Sequence, residues 1–236
     1  MKNANFRLLL VAALLMVLSL ASSARAQPRQ RTRITTTQPA GSLNISGERT
    51  STGPGSFSHS GSYTRTGSNG GSGSGTYSGQ GSRQFIPGQG VEGEYAGQIT
   101  TEQGQNWHIN HQHTTIRTDE GWQRQGNTTV QNAAGETVGS SSAIIKGQPG
   151  EGWQRTGQLH NARGQSLTTE SSGTPTGPGQ RRLKTRVFNG EGELLGGSDT
   201  DVQYQFVPGQ GWVKTVEGNT LNGQPIRRTT TASPSL

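Results

Sequence analysis

The sequence contains no cysteine and few large apolar residues. Without cysteine no disulfide can brace the fold, although small exported domains with thin cores often depend on disulfides. Among the 210 residues that follow position 26, only 29 are Leu, Ile, Val or Phe. That share of about one in seven leaves little apolar area to offset the entropy of ordering a backbone. A thick globular core is therefore excluded, and any fold must be thin.

Long apolar runs are absent after the first 26 residues, which have the three parts of a secretory signal peptide. Lys2 and Arg7 supply a positive start, residues 8–20 are apolar except for Ser19, and a small-x-small cleavage site precedes Gln27. The apolar run is short for a membrane span, which needs ~20 residues, and an uncleaved anchor is the less favoured alternative. We therefore expect a secreted protein (periplasmic, cell-surface or extracellular) with no transmembrane segment after signal removal.

Negative charge is also scarce. The formal charge of +7 falls to +4 in the mature chain, because three cations and no acid leave with the signal peptide. Residues 27–52 are rich in Arg, Thr, Gln and Pro and are predicted to be a polar linker leading into weak strands. Residues 53–84 are Gly/Ser-rich, and for them a flexible linker and a degenerate repeat are both open.

Residues 85–231 are organised by a period of about 31 residues. Trp122 lies 31 residues before Trp153, and the segment from Phe85 to Gly90 returns almost unchanged from Phe206 to Gly211. A fixed period of this size is typical of repeat architectures. Within each unit polar and larger residues alternate with period two, whereas the glycine content would break a helix. Residues 232–236 are predicted to be a C-terminal tail.

Asparagine followed three residues later by glycine predicts a tight turn between the two strands of a unit. Asn bonds to its own backbone in turns, and Gly supplies a positive φ. The predicted turn residues are Asn132, Gly135, Asn161, Gly164, Asn189 and Gly192. The pattern predicts an all-β fold, an antiparallel meander of hairpin repeats in an extended twisted sheet. It gives about ten strands from Val91 onward and two to four more from the Gly/Ser region. The low apolar content favours an open sheet, and a curled or solenoid-like one stays open as an alternative.

The turn Phe188-Asn189-Gly190-Glu191-Gly192-Glu193-Leu194 resembles the aromatic-Asp-x-x-Gly-x-Leu core of YD (Rhs-type) repeats. Looser versions occur around Asn161 and Asn132. Phe stands here for the family's Tyr, and Asn for its Asp. The resemblance covers only the turns of three units, about 25 residues. It implies β-hairpins of the kind that build large secreted or surface-displayed sheets.

Two sets of residues are candidates for ligand binding. His111 and His113 share one face of a strand and could hold Zn²⁺, Cu²⁺ or Ni²⁺ if a third ligand were present, although none is evident and exposed strand histidines are the commoner case. Trp122, Trp153 and Trp212 could stack on sugar rings, or could form a structural ladder.

No motif for a catalytic nucleophile or a phosphate-binding loop occurs, so no enzymatic activity and no cofactor are predicted. A nucleic-acid partner is not expected for an exported chain with few aromatic residues near its basic segments. We expect a structural or adhesive role at the cell envelope or outside the cell. The alternative is a carbohydrate- or cell-wall-binding module that uses the three Trp residues. The expected partners are a second copy, through exposed sheet edges, or a cell-surface polysaccharide.

Overall fold

The computed structural model describes residues 29–38, 41–67 and 71–234, and every element in these ranges is a β-strand. The predicted signal peptide, residues 1–26, lies outside the described residues. In the described ranges no helix is long and apolar enough to cross a membrane. The fourteen strands are β1 (Arg29–Gln38), β2 (Gly41–Gly53), β3 (Ser56–Gly67), β4 (Ser72–Ile86), β5 (Gly90–Thr101), β6 (Asn106–Thr118), β7 (Gly121–Asn132), β8 (Thr137–Gln148), β9 (Gly152–Asn161), β10 (Ser166–Gly177), β11 (Gln180–Asn189), β12 (Leu194–Val207), β13 (Gly211–Thr220) and β14 (Pro225–Pro234).

The strands form one antiparallel meander, as the repeat predicts. From β2 to β14 each strand pairs with the next one along the chain, and β1 pairs with both β2 and β14. The first and last strands therefore meet, with Ile34 opposite Ala232. The apolar content favours an open sheet, but pairing the two end strands satisfies backbone groups that an open edge would leave unpaired. Of the arrangements that the sequence allows, the structure has the curled one.

The N-terminal part of the chain belongs to the same sheet. The polar linker predicted for residues 27–52 is wrong for most of its length, because β1 and β2 lie there. Backbone pairing with neighbouring strands orders these residues despite their polar composition. Residues 53–84 contain β3 and most of β4, so the degenerate-repeat alternative describes them. The strand β14 extends to Pro234, into the predicted C-terminal tail.

One face of the sheet carries the buried side chains, and we call it the buried face. Directly opposed residues on neighbouring antiparallel strands share a face, and the register places the buried apolar residues on the same one. The main cluster is Ile45, Tyr63, Ile99, Ile109 and Val130, and Val202 is buried on β12. We call the opposite, mostly exposed face the polar face. The core is thin, as the scarcity of apolar residues predicts.

Candidate functional site

The predicted turn asparagines form a repeated side-chain clamp. After β7, Asn132 Oδ1 accepts hydrogen bonds from the backbone N–H groups of Ala134 and Glu136, each at 3.0 Å. Asn132 Nδ2 donates to Glu136 Oε2 at 2.8 Å. Gly135 has a φ of +81°, a conformation that favours glycine. Three side-chain hydrogen bonds of Asn132 fix the turn.

The same clamp recurs after β9 and β11. Asn161 bonds to Gln165, and Asn189 bonds to Glu193, in each case with Nδ2 donating at 2.8 Å. The residue four positions after the asparagine is therefore a member of the turn that the sequence analysis missed. The sequence does contain a pattern that identifies this residue, because all three turns have Glu or Gln four positions after the asparagine.

The three candidate tryptophans have two different environments. Trp122 and Trp153 are half-buried on β7 and β9. Their rings lie across glycines of the next strand, Gly147 and Gly173, where any Cβ would overlap the indole. These two rings thus fill space between strands, which is the structural-ladder arrangement.

Trp212 lies apart from the other two, on β13. It is 56% exposed and makes an edge-to-face contact with Phe206, with the ring centroids 5.6 Å apart. Phe206 is its direct backbone partner on β12 and is 54% exposed. The structure therefore does not bring the three tryptophans together, but it gives Trp212 an aromatic partner that the sequence analysis did not identify.

The two candidate metal ligands stack on each other. The rings of His111 and His113 are 5.4 Å apart with an interplanar angle of 30°, and His111 Nδ1 lies 3.0 Å from Thr128 Oγ1. Burial, and then the positive charge of Arg124, lowers the pKa of His113 to about 4. In the described part of the chain no group of three His, Cys, Asp or Glu residues could hold a metal ion. The metal site stays a prediction without a third ligand.

A third histidine, His59, lies in an aromatic cluster that the sequence analysis missed. His59 Nε2 is 2.5 Å from the Tyr95 hydroxyl. The His59 ring also packs against that of Tyr77, with the ring centroids 5.3 Å apart. Burial, and then Arg49, lowers the pKa of His59 to about 4, so its ring is neutral at pH 7. The alternation of His59 with Phe57 and Tyr63 was the available signal. The bond between a neutral imidazole and a phenol links β3 to β5 across the intervening strand β4.

A cavity of about 570 Å³ lies beside the turns that join β4 to β5, β6 to β7, and β8 to β9. Its walls include Phe85, Val91, Thr115, Arg117 and Trp122 from the buried face. Phe85 is 69% exposed. The cavity therefore combines apolar surface with hydroxyl and guanidinium groups at one end of the sheet.

Comparison with known proteins found no matching family model, no similar characterised protein and no similar solved structure. The fold and the surfaces described above are thus the basis for any functional proposal.

Proposed function

We propose that this chain is a secreted, non-enzymatic β-repeat protein with a structural or adhesive role at the cell envelope or outside the cell. The observation that carries the proposal is the composition of the polar face, where Ser, Thr, Gln and Asn occupy most positions. On β7 this face presents Gln125 and Asn127, and on β9 it presents Gln154 and Gln158, all of them exposed. Such groups combine hydrogen-bond donors and acceptors without charge. Arrayed over the sheet, they suit contact with hydrated surface polymers.

The polar face, rather than a strand edge, is the surface that this proposal uses. Each described strand has a paired neighbour on both sides. Self-association by adding a strand needs an unpaired edge. Edge-to-edge pairing between copies therefore has no support in this arrangement.

Adhesion of beads coated with residues 27–236 to polysaccharide-coated surfaces tests the proposal. One variant adds four negative charges to the polar face: Gln80→Glu, Gln125→Glu, Gln154→Glu and Gln158→Glu. A matched variant adds four in the turns: Gln89→Glu, Gln105→Glu, Gln165→Glu and Gln224→Glu. We expect the first variant to lose most of its adhesion and the second to keep it. Equal behaviour of the two variants would refute a role for the polar face.

The exposed Trp212–Phe206 pair supports a second candidate function, carbohydrate binding. Two aromatic rings at the end of a sheet offer a surface on which sugar rings can pack. Of the three predicted ligand-binding tryptophans, Trp212 has the exposure that stacking requires, whereas Trp122 and Trp153 pack over glycines.

A glycan array probed with the wild-type chain, Trp212→Ala and Trp153→Ala tests this candidate. We expect Trp212→Ala to abolish binding of neutral glycans without lowering the unfolding temperature. Trp153→Ala should destabilise the sheet instead. Glycan binding that survives Trp212→Ala would contradict a sugar site at this pair.

A further inference from the structure

Charge is divided unequally between the two faces of the sheet. All 14 acidic residues of the chain lie on the polar face or in turns. Ion pairs such as Arg182–Asp201 and Arg227–Glu217 also lie on the polar face. The buried face instead carries the cations Arg49, Arg65, Arg83, Arg117, Arg124, Arg155, Arg181, Lys214 and Arg228. None of the carboxylates of the described strands lies on this face.

Two of these cations lie in one cross-strand row, which we call the arginine row. Its members are direct backbone partners on β6 to β11: Thr115, Arg124, Ile145, Arg155, Ser171 and Thr185. Arg124 and Arg155 are separated by the single strand β8, which places their backbones about 10 Å apart. Hydroxyl side chains flank the two guanidinium groups. The row thus has two positive charges on either side of Ile145, with hydroxyl groups beyond them.

Arg124 is half-buried and has no hydrogen-bond acceptor or carboxylate partner among the described residues. The charged and titratable groups that act on it are Arg83, His111 and His113, and none of them is negative. His113 Nδ1 is buried and also lacks a partner. Arg155 donates from Nη1 to Thr169 Oγ1 at 3.0 Å, a neutral acceptor. Removing a guanidinium from water without pairing it costs free energy, which an anionic ligand would offset.

We propose that the arginine row binds an acidic polysaccharide. Carboxylate or sulfate groups of the ligand accept hydrogen bonds from Arg124 and Arg155, whose planar, forked donors match such anions. Hydroxyl groups of the sugar pair with Thr115, Ser171 and Thr185. The proposal deepens the adhesive role by naming a ligand, and it rests on neither the polar face nor Trp212. Either proposal can therefore fail alone.

A polymer fits this row better than a small anion, because the two guanidinium groups arise from strands about 10 Å apart. Single-stranded nucleic acid is the other anionic polymer to consider. Its binding sites use exposed aromatic faces on which bases stack. From Thr115 to Thr185 the arginine row contains no aromatic residue. Sugar hydroxyls and carboxylates match its side chains more closely.

The cavity of about 570 Å³ supplies an approach to the row. Thr115 belongs to both, and Phe85 and Val91, which continue the same row on β4 and β5, also line the cavity. Asp119 and Glu120, in the turn that joins β6 to β7, also line the cavity, and their carboxylates repel an acidic polymer. The polymer is therefore expected to reach the row along the wall that Phe85, Val91 and Thr115 form.

Binding of residues 27–236 to polygalacturonate, dextran sulfate, neutral dextran and oligothymidylate tests the proposal by titration calorimetry. We expect binding to one or both acidic polysaccharides and none to neutral dextran. Polygalacturonate tests recognition of carboxylate groups, and dextran sulfate tests recognition of sulfate groups. Arg124→Gln/Arg155→Gln should weaken binding at least about tenfold, as expected for loss of desolvated charge pairs. The matched control Lys146→Gln/Arg163→Gln removes the same charge from the polar face and a turn. It should change affinity by less than about twofold, as rim charges do.

Three results would overturn the proposal: equal weakening by both double variants, tighter binding of oligothymidylate than of either acidic polysaccharide, or no binding of either acidic polysaccharide. Folding is checked separately. Without ligand, Arg124→Gln/Arg155→Gln should melt no lower than the wild type, because it removes half-buried charge. Arg124→Lys/Arg155→Lys keeps the charge but loses the forked donors, and we expect affinity between those of the wild type and the glutamine variant.

Discussion

Single side chains replace apolar contacts at the turns of this sheet. Asn161 Oδ1 accepts from the backbone N–H groups of Arg163 and Gln165 at 2.9 and 3.0 Å, and its amide donates to the Gln165 side chain. Each of these bonds contributes modestly, but together they fix the path of a turn that has no core beneath it.

Asn161→Ala should lower the free energy of unfolding by about 1–2 kcal/mol, because it removes three local hydrogen bonds at an exposed turn. Urea denaturation measures the change. Gln165→Glu is the matched control and should be nearly neutral, since Glu136 and Glu193 hold the same position in the other two clamps. An unchanged urea midpoint for Asn161→Ala would contradict the clamp.

Part of the pH dependence of stability should come from His59, beside the contribution of His113. The pKa of His59 is about 4 in the folded chain, against 6.5 as its unperturbed value. Between these two values the unfolded chain binds a proton that the folded chain does not, so stability falls as pH drops from 6.5 to 4. After allowance for partial solvent screening, the free energy of unfolding should fall by about 2 kcal/mol over this pH range.

Urea denaturation at pH 7.5 and pH 4.5 measures this loss. His59→Gln should reduce the difference in stability between the two pH values, whereas His108→Gln, a change at an exposed position on the polar face, should leave it as in the wild type. A His59→Gln chain with the full wild-type difference would show that His59 is not its source.

The sequence predicts some of these residues and misses others for a physical reason. Asn and Gly in a turn act within four residues of each other, so a local pattern suffices to find them. The face shared by His111 and His113 also follows from period two. The arginines around these two histidines could not be predicted from period two, because Arg83 comes from β4 and Arg124 from β7. Which strands lie side by side decides that environment.

At the scale of the strand, aromatic rings pack on glycines of the neighbouring strand. Trp122 lies across Gly147, its direct backbone partner on β8, and Trp153 lies across Gly173 on β10. In each pair the aromatic ring packs on the backbone of a glycine, so the contact needs no second apolar side chain. Such contacts account for part of the glycine content that, in the sequence alone, indicates only flexible or irregular structure.

Gly147→Ala should destabilise the chain by about 1–3 kcal/mol, because the added methyl group overlaps the Trp122 ring. Gly139→Ala on the same strand is the matched control. Its Cβ would meet only the His160 carbonyl oxygen, at 3.4 Å, and the change should be neutral or slightly stabilising. Thermal unfolding monitored by circular dichroism compares the two. Equal melting temperatures would argue against the ring–glycine contact.

The number and type of strands were predictable, whereas the extent of the sheet was not. Two strands per period of about 31 residues follow from alternation and turn chemistry, and ten strands lie from Gly90 onward. The linker predicted for residues 27–52 was wrong because local composition does not report backbone pairing. Ile45, within that segment, is only 3% exposed. Its burial depends on Tyr63 and on β6 and β7, which lie far along the chain.

At the scale of the whole molecule, pairing of β1 with β14 separates two surfaces of different chemistry. The polar face holds the carboxylates and most of the exposed amide and hydroxyl groups. The buried face holds the thin core and a set of cations, and none of the carboxylates of the described strands lies on it. A structural or adhesive role would use the first surface, and an acidic polysaccharide would use the second. The proposed use of the polar face, rather than of a strand edge, assumes that the first and last strands meet.

The separation of spin labels on β1 and β14 tests that assumption most directly. The chain has no cysteine, so Thr35→Cys and Thr231→Cys, which are direct backbone partners, can be labelled without background. Paired strands place the two Cα atoms about 5 Å apart, and strong dipolar broadening is the predicted result. In an open sheet of fourteen strands the same positions would lie at opposite edges, roughly 60 Å apart if the sheet were flat. A long distance without broadening would contradict the closed strand order.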